Sequence, residues 1–393
     1  MSRLWFCVLI ACGSPRAPAP APAPTPAPLP APAPADPPAE SKPVPPKPPA
    51  TVAANAIQLE IGPKPVYLER TDSALLVNCD LIVRNTSSEP FKLSEIELSV
   101  FDRTGTLVFR KFVSGNGVSP SIDTIPNRVL AANAQHMILN PVHTLPRDLD
   151  VTKARFTVTY QHETGEQILV ATEEVAPRDF VGKAKLVLPL AGRLVAWSGH
   201  DFLSHHRRWD YTDPRLVQFG FDSNAARYSY DLIPVNERGE MRNGPPGANE
   251  SWFGFGKPVL APAAGKIVAF SSKHPDNREF DMGALKANLL VMFGNYIVIE
   301  HSDTEYSLLA HLKQDSVKVQ LDDVVRAGQE IAAVGASGSS LMPHLHYQLQ
   351  THQTGHAEGL PAYFHKFVKL RGRRAVVARG HVDTGDIVES RAK

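Results

Sequence analysis

Apolar and polar residues alternate with a period of two through much of the chain. Val77-Asn78-Cys79-Asp80-Leu81-Ile82-Val83 alternates and stops at the turn cluster Asn85-Thr86-Ser87-Ser88. Leu93 to Phe101 (LSEIELSVF) alternates again before Asp102-Arg103-Thr104-Gly105, and Leu107–Phe109, Ala154–Tyr160 and Gln167–Ala171 continue the pattern. Residues two apart in a strand share a face, so such runs predict strands with one buried and one solvated face. Short strands at this spacing predict an immunoglobulin-like β-sandwich over residues 54–177. His136 and His143 there are isolated and read as surface or cap residues. With no chemical cluster there, the sandwich is expected to act as a spacer or to bind an envelope protein partner.

A second β region follows. Gly256–Val268 (GKPVLAPAAGKIV), Gly294–His301 (GNYIVIEH) and Tyr306–Leu312 (YSLLAHL) are strand-like, and Val324–Gly335 (VVRAGQEIAAVG) reads as a glycine-punctuated hairpin. Ser337–Leu349 (SGSSLMPHLHYQL) closes the series. If this last run is a strand, His344, His346 and Gln348 share one face while Leu345 and Tyr347 point the other way. Two imidazoles side by side suit zinc ligation, or ligation together with proton transfer.

The N-terminus is patterned differently. Met1-Ser2-Arg3 is followed by the apolar run Leu4–Ala11, too short to span a bilayer and read as a targeting segment. Leu9-Ile10-Ala11-Cys12 resembles the cleavage box of a bacterial lipoprotein, which implies a signal peptide over 1–12 and a lipid anchor on Cys12. An ordinary signal peptide that contains a cysteine is the alternative. Residues 13–53 hold 17 of the chain's 35 prolines, so they are expected to form an extended Pro/Ala-rich linker rather than a core. At about 3.1 Å per residue, polyproline II would reach on the order of 100 Å.

Composition narrows the function. Lys+Arg 41 against Asp+Glu 40 leaves the chain nearly neutral, so nothing suggests the surface that nucleic acid requires. Cys7, Cys12 and Cys79 form no CxxC, which excludes a thiolate zinc site, and Cys79 reads as a small buried hydrophobe.

PVLAPAAGKIV, GNYIVIEH, LLAHL and SGSSLMPHLHYQL, in this order, resemble the lysostaphin/LytM-type zinc metallopeptidases that cut cell-wall peptides. The resemblance covers roughly residues 202–349. It implies an all-β chain in which a LytM-type antiparallel sheet, with a lipoyl-like hairpin arrangement, occupies 183–368. The family places zinc on a His, an Asp and the second His of the HxH, which makes His346 a ligand here. The first His of the HxH and the His of LLAHL assist catalysis in the family, and they match His344 and His311. The family Asp lies just upstream of the PVxAPxxG hairpin, so Asp231 in Arg227-Tyr228-Ser229-Tyr230-Asp231-Leu232 is preferred to Asp210. An insertion, residues 236–255, separates it from that hairpin. The remaining ligand is His206, with His205 beside it as the alternative; tetrahedral zinc constrains positions in space rather than along the chain.

Of the other histidines, His274, His301, His352 and His356 are read as solvent-facing or hydrogen-bonded, and His200 is left outside the site. Residues 369–393, opening with Lys369-Leu370-Arg371-Gly372-Arg373-Arg374, are expected to be a basic, solvated tail. The resemblance implies a zinc-dependent endopeptidase of the cell envelope, acting on peptidoglycan stem peptides or cross-links through a metal-activated water. A catalytically inactive LytM-like scaffold that binds cell wall or activates an amidase is the alternative. A lipoyl-type carrier is disfavoured because no MKM-like triplet occurs.

Overall fold

In the computed structural model, which describes residues 52–390, the alternating runs become strands whose inward residues meet across two sheets. Lys153–Gln161 shows the principle: Ala154, Phe156, Val158 and Tyr160 are buried while the residues between them are half-exposed. One sheet runs in the order Arg178–Asp179, Ile57–Arg70, Ala74–Asn85, Gln135–Ile138, with Thr144–Pro146 also on Ala74–Asn85. The other runs Leu107–Ser114, Phe91–Phe101, Lys153–Gln161, Ile168–Val175. Ile61 and Leu81 from the first sheet share a core with Ile96, Leu98 and Phe156 from the second. Cys79 is buried in that core. The signal peptide with Cys12, nearly all of the proposed linker and residues 391–393 lie outside the described residues. Among the described residues no helix is long and apolar enough to cross a membrane.

The second region is built on one large, mostly antiparallel sheet. Its central order is Gly265–Ser271, Tyr296–Ser302, Glu305–Ala310, Leu345–Gln350, Tyr230–Pro234, Arg193–Ser198. Glu305–Ala310, Leu345–Gln350 and Tyr230–Pro234 are buried at every position, because both faces of this part of the sheet are covered. On one face Leu309, Tyr347, Tyr230 and Ile297 join the main core with Val259 and Ile331. On the other, Leu308 and Ala310 pack with Leu290 and Phe293 of the short 3-10 turn Leu289–Phe293. The chain is all-β, as its periodicity implies.

Two expectations are corrected. Val324–Gly335 is not a hairpin: Val324–Val325 pairs with Gly265–Ser271, whereas Glu330–Ala333 pairs with Pro258–Leu260 in a separate two-stranded sheet. The glycine turn therefore carries the chain from one sheet to another. Residues 369–390 are not a solvated tail either. Phe364–Leu370, Arg374–Gly380 and Ile387–Ser390 extend the large sheet, and the last of these pairs with Arg193–Ser198. The basic run is neutralised by acids that follow it: Lys369 and Arg371 reach Asp386, and Arg374 reaches Glu389.

The sandwich and the large sheet meet through buried charges. Arg227, 1% exposed, donates to Asp80 at 2.5 Å and to Glu358 at 2.7 Å. Glu69 accepts from His200 and from the Tyr363 hydroxyl, each at 2.5 Å. Burial holds the His200 imidazole below its usual range, to about 4. Burial alone would raise the Glu69 carboxyl, yet its contacts with His200, Arg207 and Tyr363 bring it down to about 2. Both folded-state values lie below the unfolded ones. The stability this pair contributes is therefore complete above about pH 6.5 and lost as pH falls through 4 toward 2.

Two outcomes test this junction. Arg227→Leu strands the buried Asp80 carboxylate and the half-buried one of Glu358, and is expected to cost about 3–5 kcal/mol in urea denaturation at pH 7. Thermal melts of the unmutated protein are expected to fall steadily between pH 6.5 and 3, and His200→Gln should remove the part of that fall above about pH 4.5.

Candidate metal centre

Strand register assembles the site. Ser198 is directly opposite Asp231, Asp231 opposite His346, and His346 opposite Ala310, so four neighbouring strands contribute to one row. His311 follows Ala310 with a left-handed φ of 58°, which turns it out of its strand at the end of that row. A non-glycine residue in this region carries backbone strain, held here because His311 N donates to Phe293 O and Leu312 N to Asn295 O. His344 sits just ahead of the Leu345–Gln350 strand. His206 comes from the segment that leaves Ser198, and its Nδ1 lies 3.0 Å from Ser198 Oγ.

The Asp231 carboxylate, 4% exposed, is the centre. Oδ1 lies 3.1 Å from His346 Nδ1 and 3.3 Å from His344 Nε2, while Oδ2 lies 3.6 Å from His206 Nε2 and 3.7 Å from His205 Nε2. The His311 ring is 4.8 Å from that of His344 and 5.8 Å from that of His346, centroid to centroid. All five residues expected at the site (His206, Asp231, His311, His344 and His346) are thus brought together. Asp210 instead accepts from the backbone and hydroxyl of Thr212, at 2.9 and 2.7 Å. His205 also reaches the site, its ring 3.9 Å from that of His206, but its side chain is 42% exposed against 14% for His206.

A chain of buried amides sets the tautomer of His346. The His352 carbonyl can only accept, so it takes its hydrogen bond from Gln350 Nε2 at 2.5 Å. Gln350 Oε1 then accepts from Gln348 Nε2, which leaves Gln348 Oε1 to accept from His346 Nε2 at 2.8 Å. In the neutral ring Nδ1 is therefore a bare lone pair facing a carboxylate, a contact satisfied by a proton or by a cation. His311 and His344 are set the opposite way, each donating from Nδ1: to Ser337 O at 2.8 Å and to Met342 O at 2.7 Å. That leaves Nε2 as the other ring nitrogen of each, and His344 Nε2 faces Asp231 Oδ1. The nitrogen–oxygen–nitrogen donors of His206, Asp231 and His346 match the preferences of zinc. Gln350 was not singled out from the sequence, although its signal was present: the period-two face of the HxH runs on through Gln348 to Gln350.

Electrostatics separate the histidines. Burial would raise the Asp231 carboxyl, but the charges of His206 and His344 and a hydrogen bond from His344 hold it well below its usual range. Burial disfavours charge on His344, and the Asp231 charge and hydrogen bond overcome this and raise it. Burial, reinforced by His344 and His346, pushes His311 well below its usual range. Burial does the same to His206 despite Asp231.

The remaining histidines have other partners. His301 bonds to Ala264 O and Ser307 Oγ, and His356 to Asp222. His136 and His143 are not plain surface residues: His136 lies 2.8 Å from the Tyr160 hydroxyl, and His143 stacks on Phe202 with ring centroids 4.0 Å apart.

Residues 253–357 match peptidase family M23. The murein hydrolase activator NlpD of Salmonella typhimurium strain LT2 is 23% identical over 274 residues, 69% of this chain and 59% of that protein. The peptidoglycan DD-endopeptidase ShyB of Vibrio cholerae is 33% identical over 95 residues, 24% of this chain and 18% of that protein. The lipoprotein NlpD of Yersinia enterocolitica is 30% identical over 95 residues, 24% of this chain and 78% of that protein. The chain thus spans less than two thirds of the first two relatives.

Nitrogen-15 NMR of the metal-free protein should find His346 protonated at Nε2 and His311 at Nδ1. On lowering the pH, His344 is expected to take up a proton well before His311. The reverse order would contradict the electrostatics described above.

Proposed function

Since this chain belongs to peptidase family M23, we propose that it is a zinc-dependent endopeptidase acting on stem peptides or cross-links of peptidoglycan. The observation that carries this reading is the gathering of His206, His344 and His346 around the two oxygens of Asp231, with His205 beside His206 and His311 beside His344. His206, Asp231 and His346 would hold the ion. Bound there, zinc would supply Lewis acidity and lower the pKa of a water toward about 7.

The protein's own groups supply the proton transfers. His311, kept neutral by burial, accepts a proton at Nε2 from the attacking water. His344, whose affinity for a proton Asp231 raises, gives a proton from Nε2 to the amine nitrogen as the peptide bond breaks. One backbone carbonyl anchors Nδ1 of each ring, which leaves Nε2 as the nitrogen that can exchange a proton. Phe293, with its ring 5.3 Å from that of His346, lines the site with an apolar wall.

Placement follows from the N-terminal reading. A lipid on Cys12 would anchor the chain in the cell envelope, and the Pro/Ala-rich linker would carry the sandwich (54–177) and the peptidase domain (183–368) toward the wall. That a relative is named as a lipoprotein supports this. A second reading is that the chain binds cell wall and activates an amidase. It is favoured by the 274-residue likeness to a murein hydrolase activator, which reaches well beyond the family match.

Zinc analysis and cleavage of purified peptidoglycan test both readings. About one zinc per chain is expected on the unmutated protein, and His346→Ala should lose it. His311→Ala and His344→Ala should keep zinc while turnover falls about 10²–10⁴-fold. A protein that leaves peptidoglycan intact yet stimulates a purified amidase would select the second reading.

A further inference from the structure

The segment that carries His205 and His206 runs from Ser198 to Tyr230 without pairing to any strand, and only a short helix, Pro214–Val217, interrupts it. Backbone bonds tie it to the large-sheet region near its two ends, His200 N to Val382 O at 2.9 Å and Gly359 N to Asn224 O at 3.0 Å, and between them side-chain contacts hold it, several from the sandwich. Arg207, directly after His206, is 4% exposed. Its Nη1 donates to Asn78 Oδ1, its Nη2 donates to His200 O at 2.6 Å, and its guanidinium lies 4.4 Å from the centre of the Tyr228 ring. Asn78 is oriented in turn by Glu69, which accepts from Asn78 Nδ2 at 2.5 Å and from His200 Nε2 at 2.5 Å. Phe202 stacks on His143, with ring planes 2° apart.

Glu69, Asn78 and His143 belong to the sandwich, while His200, Phe202 and Arg207 belong to the ligand-bearing segment. On the opposite side, Asn224 Nδ2 donates to His206 O at 3.0 Å. His206 is thus gripped through its own carbonyl and through the side chain of its neighbour. Its ring is left with Ser198 at Nδ1 and Asp231 facing Nε2. Arg207 Nε and Tyr228 OH find no protein partner at this junction. The grip consists of a few directional bonds rather than close apolar packing.

We propose that the sandwich is a positioning element of the metal centre: Glu69 and Asn78, acting through Arg207, hold the His205–His206 segment where His206 can ligate the ion. The proposal rests on the zinc reading above. Docking of the sandwich and metal binding are then linked, and by thermodynamic reciprocity each strengthens the other by the same factor. None of the three residues is a ligand. They act on the site only through the backbone around His206, as residues beyond the ligands do when they set ligand orientation.

The test uses the full chain in three forms: unmutated, Asn78→Ala and Leu98→Ala. Leu98 lies in the other sheet of the sandwich, so its truncation weakens that core without touching the Glu69–Asn78–Arg207 contacts. Zinc affinity is read by chelator competition, and hydrogen exchange of residues 199–208 is read on metal-free protein. Asn78→Ala is expected to weaken zinc about 10–100-fold and to speed exchange across 199–208. Leu98→Ala should leave both unchanged while lowering the melting temperature. Equal zinc affinity in Asn78→Ala and the unmutated chain overturns the proposal, as does an equal loss in Leu98→Ala. Failure of the unmutated chain to bind zinc overturns the metal reading itself, a result separate from the exchange measurement, which needs no metal.

Discussion

A carboxylate buried in the middle of a β-sheet is the constraint on which the rest of this structure depends. Taking the Asp231 charge out of water is costly unless opposite charge or hydrogen-bond donors surround it. Strand register supplies them: His346 lies opposite on one side, Ser198 on the other, and His344 and His206 complete the ring around the two oxygens. The sheet must be covered on both faces for this to hold, so strands that would otherwise alternate are buried throughout.

The same economy recurs at the junction with the sandwich. Arg227 is buried between Asp80 and Glu358, and Glu69 lies between His200, Tyr363 and Asn78. These clusters sit on the two chain segments that deliver site residues. Arg227 precedes Asp231 by one turn and a strand start, and His200 and Arg207 bracket the His205–His206 pair. The polar junction and the candidate centre are therefore one connected network, with the peptide chain itself as the link. A domain that looked like a spacer thereby comes into direct contact with the segments that carry the candidate site.

The histidines illustrate how environment, rather than residue type, divides roles. His311 and His344 have the same tautomer and similar burial, yet one is driven toward neutrality and the other toward charge. The difference is that His344 bonds to Asp231, whereas His311 faces the charges of His344 and His346. His346 is set in the opposite tautomer by an amide chain that ends on a backbone carbonyl more than one residue pair away.

What the sequence determined by itself is local. Period-two alternation marked the strands of the sandwich, and the HxH spacing put His344, His346 and Gln348 on one face, because side-chain direction in a strand follows from the backbone alone. The ordered motifs pointed to the family, and the position of Asp231 ahead of the PVLAPAAG segment separated it from Asp210. Tertiary structure decided whatever depends on contacts between distant segments. That includes the approach of His205 and His206 to Asp231, the partners of His143 and His200, the split of Val324–Gly335 between two sheets, and the ion-paired strands of residues 369–390. A run such as Lys369–Arg374 reads as solvated because the acids that neutralise it, Asp386 and Glu389, meet it only when the chain folds back. Strand pairing, not residue order, makes those neighbours.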